Sequence, residues 1–345
     1  MIGAAVARVR NSRNSDSRSN RRPPGEFDLI TRLTSELRRS PRTILGPGDD
    51  CAILRRPPGA QLFTIDSMVE GVHFDLGWGT PELLGARALE VNLSDIAAMG
   101  GEPWVCVVNL GVRDGLDTSF FQRLYRGLSR AAREAGVDLA GGNITSAKQL
   151  TITIALLGDA PVHPLRRDAA RPGDDIFVTG TLGDAALGWR ILAGKLEVRE
   201  GGARKHLIDR ALAPSARVAA GRALAKLLPA AAIDISDGLL QDLGHILERS
   251  EVGAEIDPRS LPLSSAYREV MGGDLSHALT GGEDYELLFC ARAGSSAREL
   301  TRRLGIQVTR IGRIVRGSGT RIIDAPELSR RIAANRGWDQ LRDGH

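Results

Sequence analysis

The sequence predicts an α/β or α+β chain built from two domains. Strand-like and helix-like segments alternate along both halves, the pattern of sheets covered by helices. A polar, Pro-containing segment at 159–175, DAPVHPLRRDAARPGDD, interrupts that alternation near the middle. The 345 residues are enough for two cores of ordinary size. The expected divisions are an Arg-rich tail at 1–24, an N-terminal domain at 25–160 and a C-terminal domain at 161–345.

Order is expected from about Gly25, where PPGEFDLITRL leads into a short amphipathic helix. AQLFTID (60–66) reads as a strand ending on Asp66, 80–99 as a long helix and WVCVVNLGV (104–112) as a second strand. Within 117–135, Phe120, Phe121, Leu124 and Leu128 recur at helical spacing. QLTITIALLG (149–158) alternates and is β-branched, as a half-buried strand should be. The second half begins with a strand at 176–179, a Gly-rich turn, a helix at 184–194 and helices within 205–228. Strand AAIDIS (231–236), a helix at 238–250 and strands near 285–291 and 306–315 complete it.

Composition excludes several classes. The chain is 42% hydrophobic and 26% charged, which fits a soluble globular protein rather than a disordered or fibrous one. No apolar run approaches the ~18 residues of a membrane-spanning helix, and the start, MIGAAVARVRNSRNS, is too briefly apolar for a secretory signal. The pI near 9.2 suggests nucleic acid at first sight. Residues 1–24, however, carry six arginines and one aspartate, so their +5 exceeds the +4 of the whole chain and leaves the body at −1. The tail reads as a solvated extension, with a weak polyanion-binding arm or an organelle leader as the alternatives. Cys51, Cys106 and Cys290 are widely spaced without a C-x-x-C pair, which argues for a reducing compartment, taken as cytoplasm, and against zinc.

Five acidic clusters stand out against surroundings rich in Gly, Ala, Ile and Leu: GPGDDCAIL (46–54), TIDSMVEGVHF (64–74), NLSDIAAMGG (92–101), IDISDGLLQDL (233–243) and GGEDYELLF (281–289). Carboxylates in partly dry surroundings cost several kcal/mol, roughly, unless compensated. Several together call for hard divalent cations with oxygen ligands. A P-loop is absent: none of Lys148, Lys195, Lys205 and Lys226 follows the required Gly spacing. A nucleotide here would be held mainly through metal ions and backbone amides, so the clusters suggest a magnesium-dependent phosphate enzyme.

Each cluster also has a plainer reading. Asp49 and Asp50 lie in a Gly-Pro-Gly turn and serve either as turn formers or as ligands. Asp66 either caps a turn or binds metal. Asp95 sits near a helix C-terminus, where both Asp propensity and the helix dipole disfavour it, so a compensating cation is the stronger account. In IDISDGLLQDL, one helix cap explains Ser236 or Asp237 but not Asp234 as well, and period-two alternation puts Asp234 and Ser236 on one side. GGN (141–143) permits close approach of a phosphate or adenine, or is a turn. Arg167 can fork onto phosphate oxygens, though arginines outnumber lysines about tenfold. His73, taken alone, reads as a packed or surface histidine.

In this order, GDDCA, T-x-D-x-x-V-E-G-x-H-F, NLSDIAAMG, DISDGL and GGEDYEL resemble the thiamine-monophosphate kinases. These belong to a superfamily of two-domain ATP enzymes that includes aminoimidazole ribonucleotide synthetase and selenophosphate synthetase. The resemblance runs from GEFDLI at 25 to GW at 337–338, and His73 and GGEDYEL favour the kinases over their relatives. It implies an N-terminal mixed sheet with helices and a C-terminal α/β domain. It also implies direct transfer of the ATP γ-phosphoryl group to thiamine monophosphate, without a covalent enzyme intermediate. Asp50, Thr64, Ile65 (through its carbonyl), Asp66, Asp95, Asn143, Asp234 and Asp237 match the family's magnesium positions. Tyr125, Gly142, Asn143, Arg167 and Ser236 match its ATP contacts, and His73, Glu283 and Trp338 its thiamine contacts. Asn143 stands where the family often has Asp, and a neutral amide holds a metal less strongly. Ile65 stands where Thr or Ser is frequent. The family is a homodimer with sites completed across the subunit boundary, and neither nucleic acid nor membrane is an expected partner. A related ATP-dependent synthetase and a non-catalytic thiamine-phosphate or nucleotide sensor are the competing functions.

Overall fold

The chain opens with α1 (Glu26–Thr34) and a short antiparallel pair, β1 (Thr43–Leu45) and β2 (Ile53–Leu54). It then lays down β3 (Gln61–Val69), α2 (Pro81–Ala98), β4 (Glu102–Val112), α3 (Thr118–Ala135), β5 (Asp138–Ser146) and β6 (Thr151–Asp159). The structure is a computed structural model describing residues 26–35, 37, 40–47, 51–55, 58–227 and 231–332. The Arg-rich tail, Asp49, Asp50 and Trp338 lie outside the described residues.

The four strands are ordered β3-β6-β4-β5, with only β4 and β5 parallel. Register decides which side chains share a face. Asp66, Ile154, Val108 and Gly142 lie side by side on one face, and Ile65, Ala155, Val107 and Gly141 on the other. The first face packs under α2 and α3, with Ile154, Val108, Leu89, Leu93, Leu124 and Leu128 in one core. Helix α2 starts cleanly because Thr80 accepts from the Leu83 amide at 3.3 Å and Pro81 occupies the first turn. Asp117 caps α3 in the same way at 2.8 Å. The two helices meet at glycines: a Cβ on Gly127 would lie 1.8 Å from the Glu82 carbonyl oxygen, and one on Gly85 2.0 Å from that of Leu124.

The C-terminal half is built from β7 (Asp175–Thr179), α4 (Asp184–Leu192), α5 (Gly202–Leu212), α6 (Val218–Leu227), β8 (Ala232–Asp234) and α7 (Leu239–Ser250). It continues with β9 (Gly253–Ile256), α8 (Ser265–Met271), α9 (Ser276–Thr280), β10 (Leu287–Ala291), α10 (Ala297–Leu304), β11 (Val308–Val315), β12 (Gly319–Ile322) and α11 (Pro326–Ile332). Its six strands run β12-β9-β11-β7-β10-β8, antiparallel except for β12 with β9. The α/β (α+β) expectation is met, with a largely antiparallel second sheet.

Helix α2 is buried on nearly every side, from Gly85 to Ala98. Its C-terminal Ala97 and Ala98 pack with Leu165, Phe177, Ala220 and Leu224 of the other half. The same helix thus carries side chains from the first sheet to the edge of the second.

Two local expectations need correction. Strand β3 runs on to Val69, so Asp66 sits inside the strand and does not end it. Gly141–Asn143 lie in strand β5, not in a turn. Gly142 is required there by crowding, since a Cβ would sit 2.0 Å from the Val108 carbonyl oxygen.

Candidate active site

Three elements deliver carboxylates to one cleft. From β3 comes Asp66, whose amide donates to Asn92 Oδ1 at 3.1 Å. From the last turn of α2 comes Asp95, which accepts a hydrogen bond from the Thr64 hydroxyl. From β8 and the turn after it come Asp234 and Asp237. Ser94 of α2 donates to Asp234 Oδ2 at 2.7 Å and so joins the helix to the second sheet.

The turn after β8 is shaped from within α7. Gly238 caps that helix with no side-chain hydrogen bond. Instead the Asp242 carboxylate accepts from the amides of Ser236, Asp237 and Gly238 at 3.1, 3.2 and 3.0 Å. The capping role open to Ser236 or Asp237 is therefore filled by Asp242, and both of them line the cleft. A second loop, Gly281–Asp284, closes over this turn: the Glu283 amide donates to the Ser236 carbonyl at 2.7 Å. Glu283 and Tyr285 both hold positive φ, 71° and 51°, unusual for non-glycine residues and frequent at functional sites.

The cleft has a volume of about 850 Å³ and is lined by Asp66, His73, Asp95, Asp234, Ser236, Asp237 and Glu283, with Trp78, Arg87, Trp189, Arg190, Lys195 and His277. Its acids disturb one another. Burial first, then the charges of Asp95, Glu283 and Asp237, push Asp66 up to about 6. Burial and the charges of Asp95 and Asp66 push Asp234 up to about 7, against the Ser94 hydrogen bond. Burial raises Asp95, opposed by the Thr64 hydrogen bond and Arg167. Desolvation and like charge both act against the ionised forms. The donors are carboxylate and hydroxyl oxygens, which suit a hard divalent cation, and its charge would relieve the repulsion. The residues present therefore fit a magnesium ion.

The other expected residues are placed less uniformly. His73 lines the cleft, its Nδ1 accepting from the Val69 amide at 3.1 Å, which leaves Nε2 as the ring's donor. Arg167 is exposed, yet near enough to Asp95 to favour its ionised form. Ile65 points to the opposite face of the sheet and is 61% exposed. Tyr125, Gly142 and Asn143 lie on α3 and β5, with two strands between β5 and β3, and none of them lines the cleft. Asn143 instead donates to Asn109 Oδ1 at 2.9 Å. Sequence reasoning passed over Asn92, Ser94, Asp242, Arg87, Trp78 and Trp189. Asn92 and Ser94 did leave a signal, as polar residues inside an otherwise apolar helix, and both are buried.

Residues 48–160 match the AIR synthase related protein N-terminal domain, and residues 171–325 match the C-terminal domain of the same proteins. Fold and cleft thus define a two-domain protein of the AIR synthase related class. The "Thiamine-monophosphate kinase" of Escherichia coli (strain K12) is 42% identical over 270 residues, 77% of this chain and 82% of that protein. A crystal structure of thiamine-monophosphate kinase from Stenotrophomonas maltophilia K279a superposes with a TM-score of 0.76 at 37% identity, covering 86% of this chain and 95% of that one. A structure described as "AaThiL complexed with AMPPCP and TMP" gives a TM-score of 0.69 at 36% identity, covering 86% and 93%. The chain belongs to the thiamine-monophosphate kinase family.

Proposed function

We propose that this chain transfers the γ-phosphoryl group of ATP to the phosphate of thiamine monophosphate, giving thiamine diphosphate and ADP. The observation that carries the reading is the shared cleft, where Asp66, Asp95, Asp234 and Asp237 meet His73 and Glu283. An acceptor phosphate oxygen bonds to the γ-phosphorus as the bond to the bridging oxygen of ADP breaks, and ADP leaves with that electron pair. The acceptor is already anionic, so no side chain is needed as a general base. What the protein supplies is alignment of two phosphorylated molecules in one cleft. Asp66, Asp95, Asp234 and Asp237, together with Asp50, Thr64 and the Ile65 carbonyl, would hold magnesium, which when bound neutralises phosphate charge and stabilises the transferring group. His73 and Glu283, with Trp338, take the thiamine end, and Ser236 and Arg167 lie at the nucleotide end.

Tyr125, Gly142 and Asn143 fit the nucleotide only if a second copy brings them to the acidic cleft. Exposed side chains on the outer face of the first sheet support such a homodimer: Phe63 is 71% exposed, Ile65 61% and Val107 42%. Large exposed apolar side chains gathered on one sheet face mark an interaction surface. In this reading residues 25–160 form the ATP-, magnesium- and dimer-forming domain and 161–345 the second domain. A cytoplasmic setting belongs to the same proposal and suits the unpaired thiols of Cys51, Cys106 and Cys290.

The test is incubation with ATP, magnesium and thiamine monophosphate, followed by chromatography for thiamine diphosphate and ADP. Stoichiometric diphosphate that disappears on chelation is the expected result. No diphosphate from folded protein with both substrates and magnesium present refutes the kinase reading.

A further inference from the structure

Arg87 is a cation almost wholly removed from solvent, 3% exposed, in the middle of α2. Burying a guanidinium is unfavourable unless its donors are paired, and here its partners come from three separate segments. Nη1 donates to the His73 carbonyl oxygen at 2.9 Å. Nη2 donates to the Glu283 carboxylate. The planar group lies over the Trp189 ring, with Cζ 4.4 Å from the centroid, and Trp189 packs at 46° and 5.5 Å against Trp78. Among the described residues, its Nε has no partner.

All five residues line the cleft. Arg87 stands eight residues before Asp95 on the same helix, about 12 Å along its axis at 1.5 Å per residue. Arg87 therefore stands apart from Asp95 along the groove, while Glu283, which it holds, is near enough to Asp66 for its charge to raise that carboxyl. Glu283, besides, sits in the left-handed region of backbone space, a conformation that persists only when its surroundings enforce it.

We propose that Arg87 is a positioning residue for the acceptor. It draws the Glu283 carboxylate, the His73 segment and the Trp189 indole into one rigid wall that receives the heteroaromatic cation of thiamine monophosphate. The inference rests on the kinase reading and deepens it. Arg87 itself carries the wrong sign to contact the thiazolium, and its fork is already engaged. It acts through Glu283, whose carboxylate can face the cation, and through Trp189, which with Trp78 offers an aromatic face. A competing effect has the opposite sign. If Arg87 did no more than neutralise Glu283, its loss would leave a fuller negative charge at the pocket and tighten binding of the cationic acceptor. If it positions Glu283 and Trp189, its loss loosens the wall and weakens binding.

Steady-state kinetics on the full chain with magnesium, ATP and thiamine monophosphate separate the two. In Arg87→Met, the KM for thiamine monophosphate should rise roughly tenfold or more, with the KM for ATP moving less than about twofold. Arg87→Lys, which keeps charge but not the planar fork, should recover part of the loss. Adding Arg87→Met to Glu283→Gln should cost less than it costs wild type, because the two act as one unit. If the Met variant fails to fold, Trp189→Leu, which removes only the stacked ring, should raise the acceptor KM alone. An acceptor KM that is unchanged or lower in Arg87→Met, or KM values for both substrates rising together, overturns the inference. Failure of wild type to make thiamine diphosphate would instead sink the kinase reading itself.

Discussion

At the scale of single residues, the cleft's chemistry follows from carboxylates that ought to repel one another. Asp66 is held up to about 6, Asp234 to about 7 and the adjoining Asp242 to about 8, and Asp284, outside the cleft lining beside Asp184 and Glu286, also to about 8, burial being the first cause in each case. All four lie above the ordinary Asp value of 3.8. Between about pH 4 and 8 these four carboxyls bind more protons in the folded, metal-free protein than in the unfolded chain, so their contribution to stability falls as pH rises through that window. It outweighs that of the half-buried His277, which is lowered and acts in the opposite sense. Magnesium held there, as proposed, would favour the ionised cluster and oppose the trend. Thermal unfolding should show the metal-free Tm dropping from pH 5 to pH 8, and a magnesium-induced increase in Tm that is larger at pH 8. A metal-free Tm that climbs across this range would contradict the buried, mutually repelling cluster. Substitution tests the same residues directly: Asp95→Asn and Asp237→Asn should each lower turnover by roughly two decades or more while the circular dichroism spectrum stays unchanged. Wild-type turnover in either variant removes the metal assignment. Asp66, Asp95, Asp234 and Asp237 were legible because each breaks a local rule, an acid in apolar surroundings or an anion at a helix C-terminus. Arg87, Trp78 and Trp189 were not, because what singles them out is a meeting of segments about 200 residues apart along the chain, as with Arg87 and Glu283.

At the scale of elements, α2 is the member on which both the cleft and the packing depend, since it carries Arg87, Asn92, Ser94 and Asp95. Its seat against α3 is set by two glycines, and Gly127 is the tighter. A methyl there would lie 1.8 Å from the Glu82 carbonyl oxygen, so the helices must separate. Gly127→Ala should cost about 1–3 kcal/mol or more, read as a fall in Tm, with turnover falling alongside because α2 shifts. Gly244, in the interior of α7, would present an added methyl to open space, with nothing within 4 Å. Gly244→Ala should instead stabilise by roughly 0.5–1 kcal/mol. If both substitutions proved neutral, the close helix contact would be wrong. Helix α3 and strand β6 were readable from apolar spacing, and β3, α2 and β4 from apolar segments of strand or helix length, α2 having no single apolar face because it is buried on nearly every side. Strand β5 was not, because VDLAGGN carries the glycines of a turn, and here those glycines serve close strand approach to Val108. Strands β9 and β12 were missed for a different reason. At four residues each they are too short to show a period, and the antiparallel order of the second sheet is decided by pairings far apart in sequence.

At the scale of the whole molecule, one chain leaves two sets of expected residues apart. The acids face the cleft on the covered side of β3, whereas Asn143 and Gly142 stand two intervening strands away, and Phe63, Ile65 and Val107 are exposed on the other face, beside the part that Ala52 and Leu54 pack against. A second copy seated on that face would answer both facts, because a twofold contact buries the same patch on each partner. Phe63→Glu should then shift the protein toward monomer in sedimentation velocity and lower turnover in proportion. Loss of dimer with full turnover would show that each chain holds a complete site. Mixing two damaged chains decides whether the site is shared. Suppose Asn143→Ala and Asp237→Asn each abolish turnover alone, and their residues serve one site from opposite chains. Half of the random dimers are then mixed, each with one doubly damaged and one intact site, so mixing should restore roughly a quarter of wild-type activity. If Asn143 and Asp237 of the same chain served the same site, every site in the mixture would carry a lesion and no activity would return. A mixture that stays inactive although exchange of subunits is demonstrated would therefore end the case for a site built across the boundary.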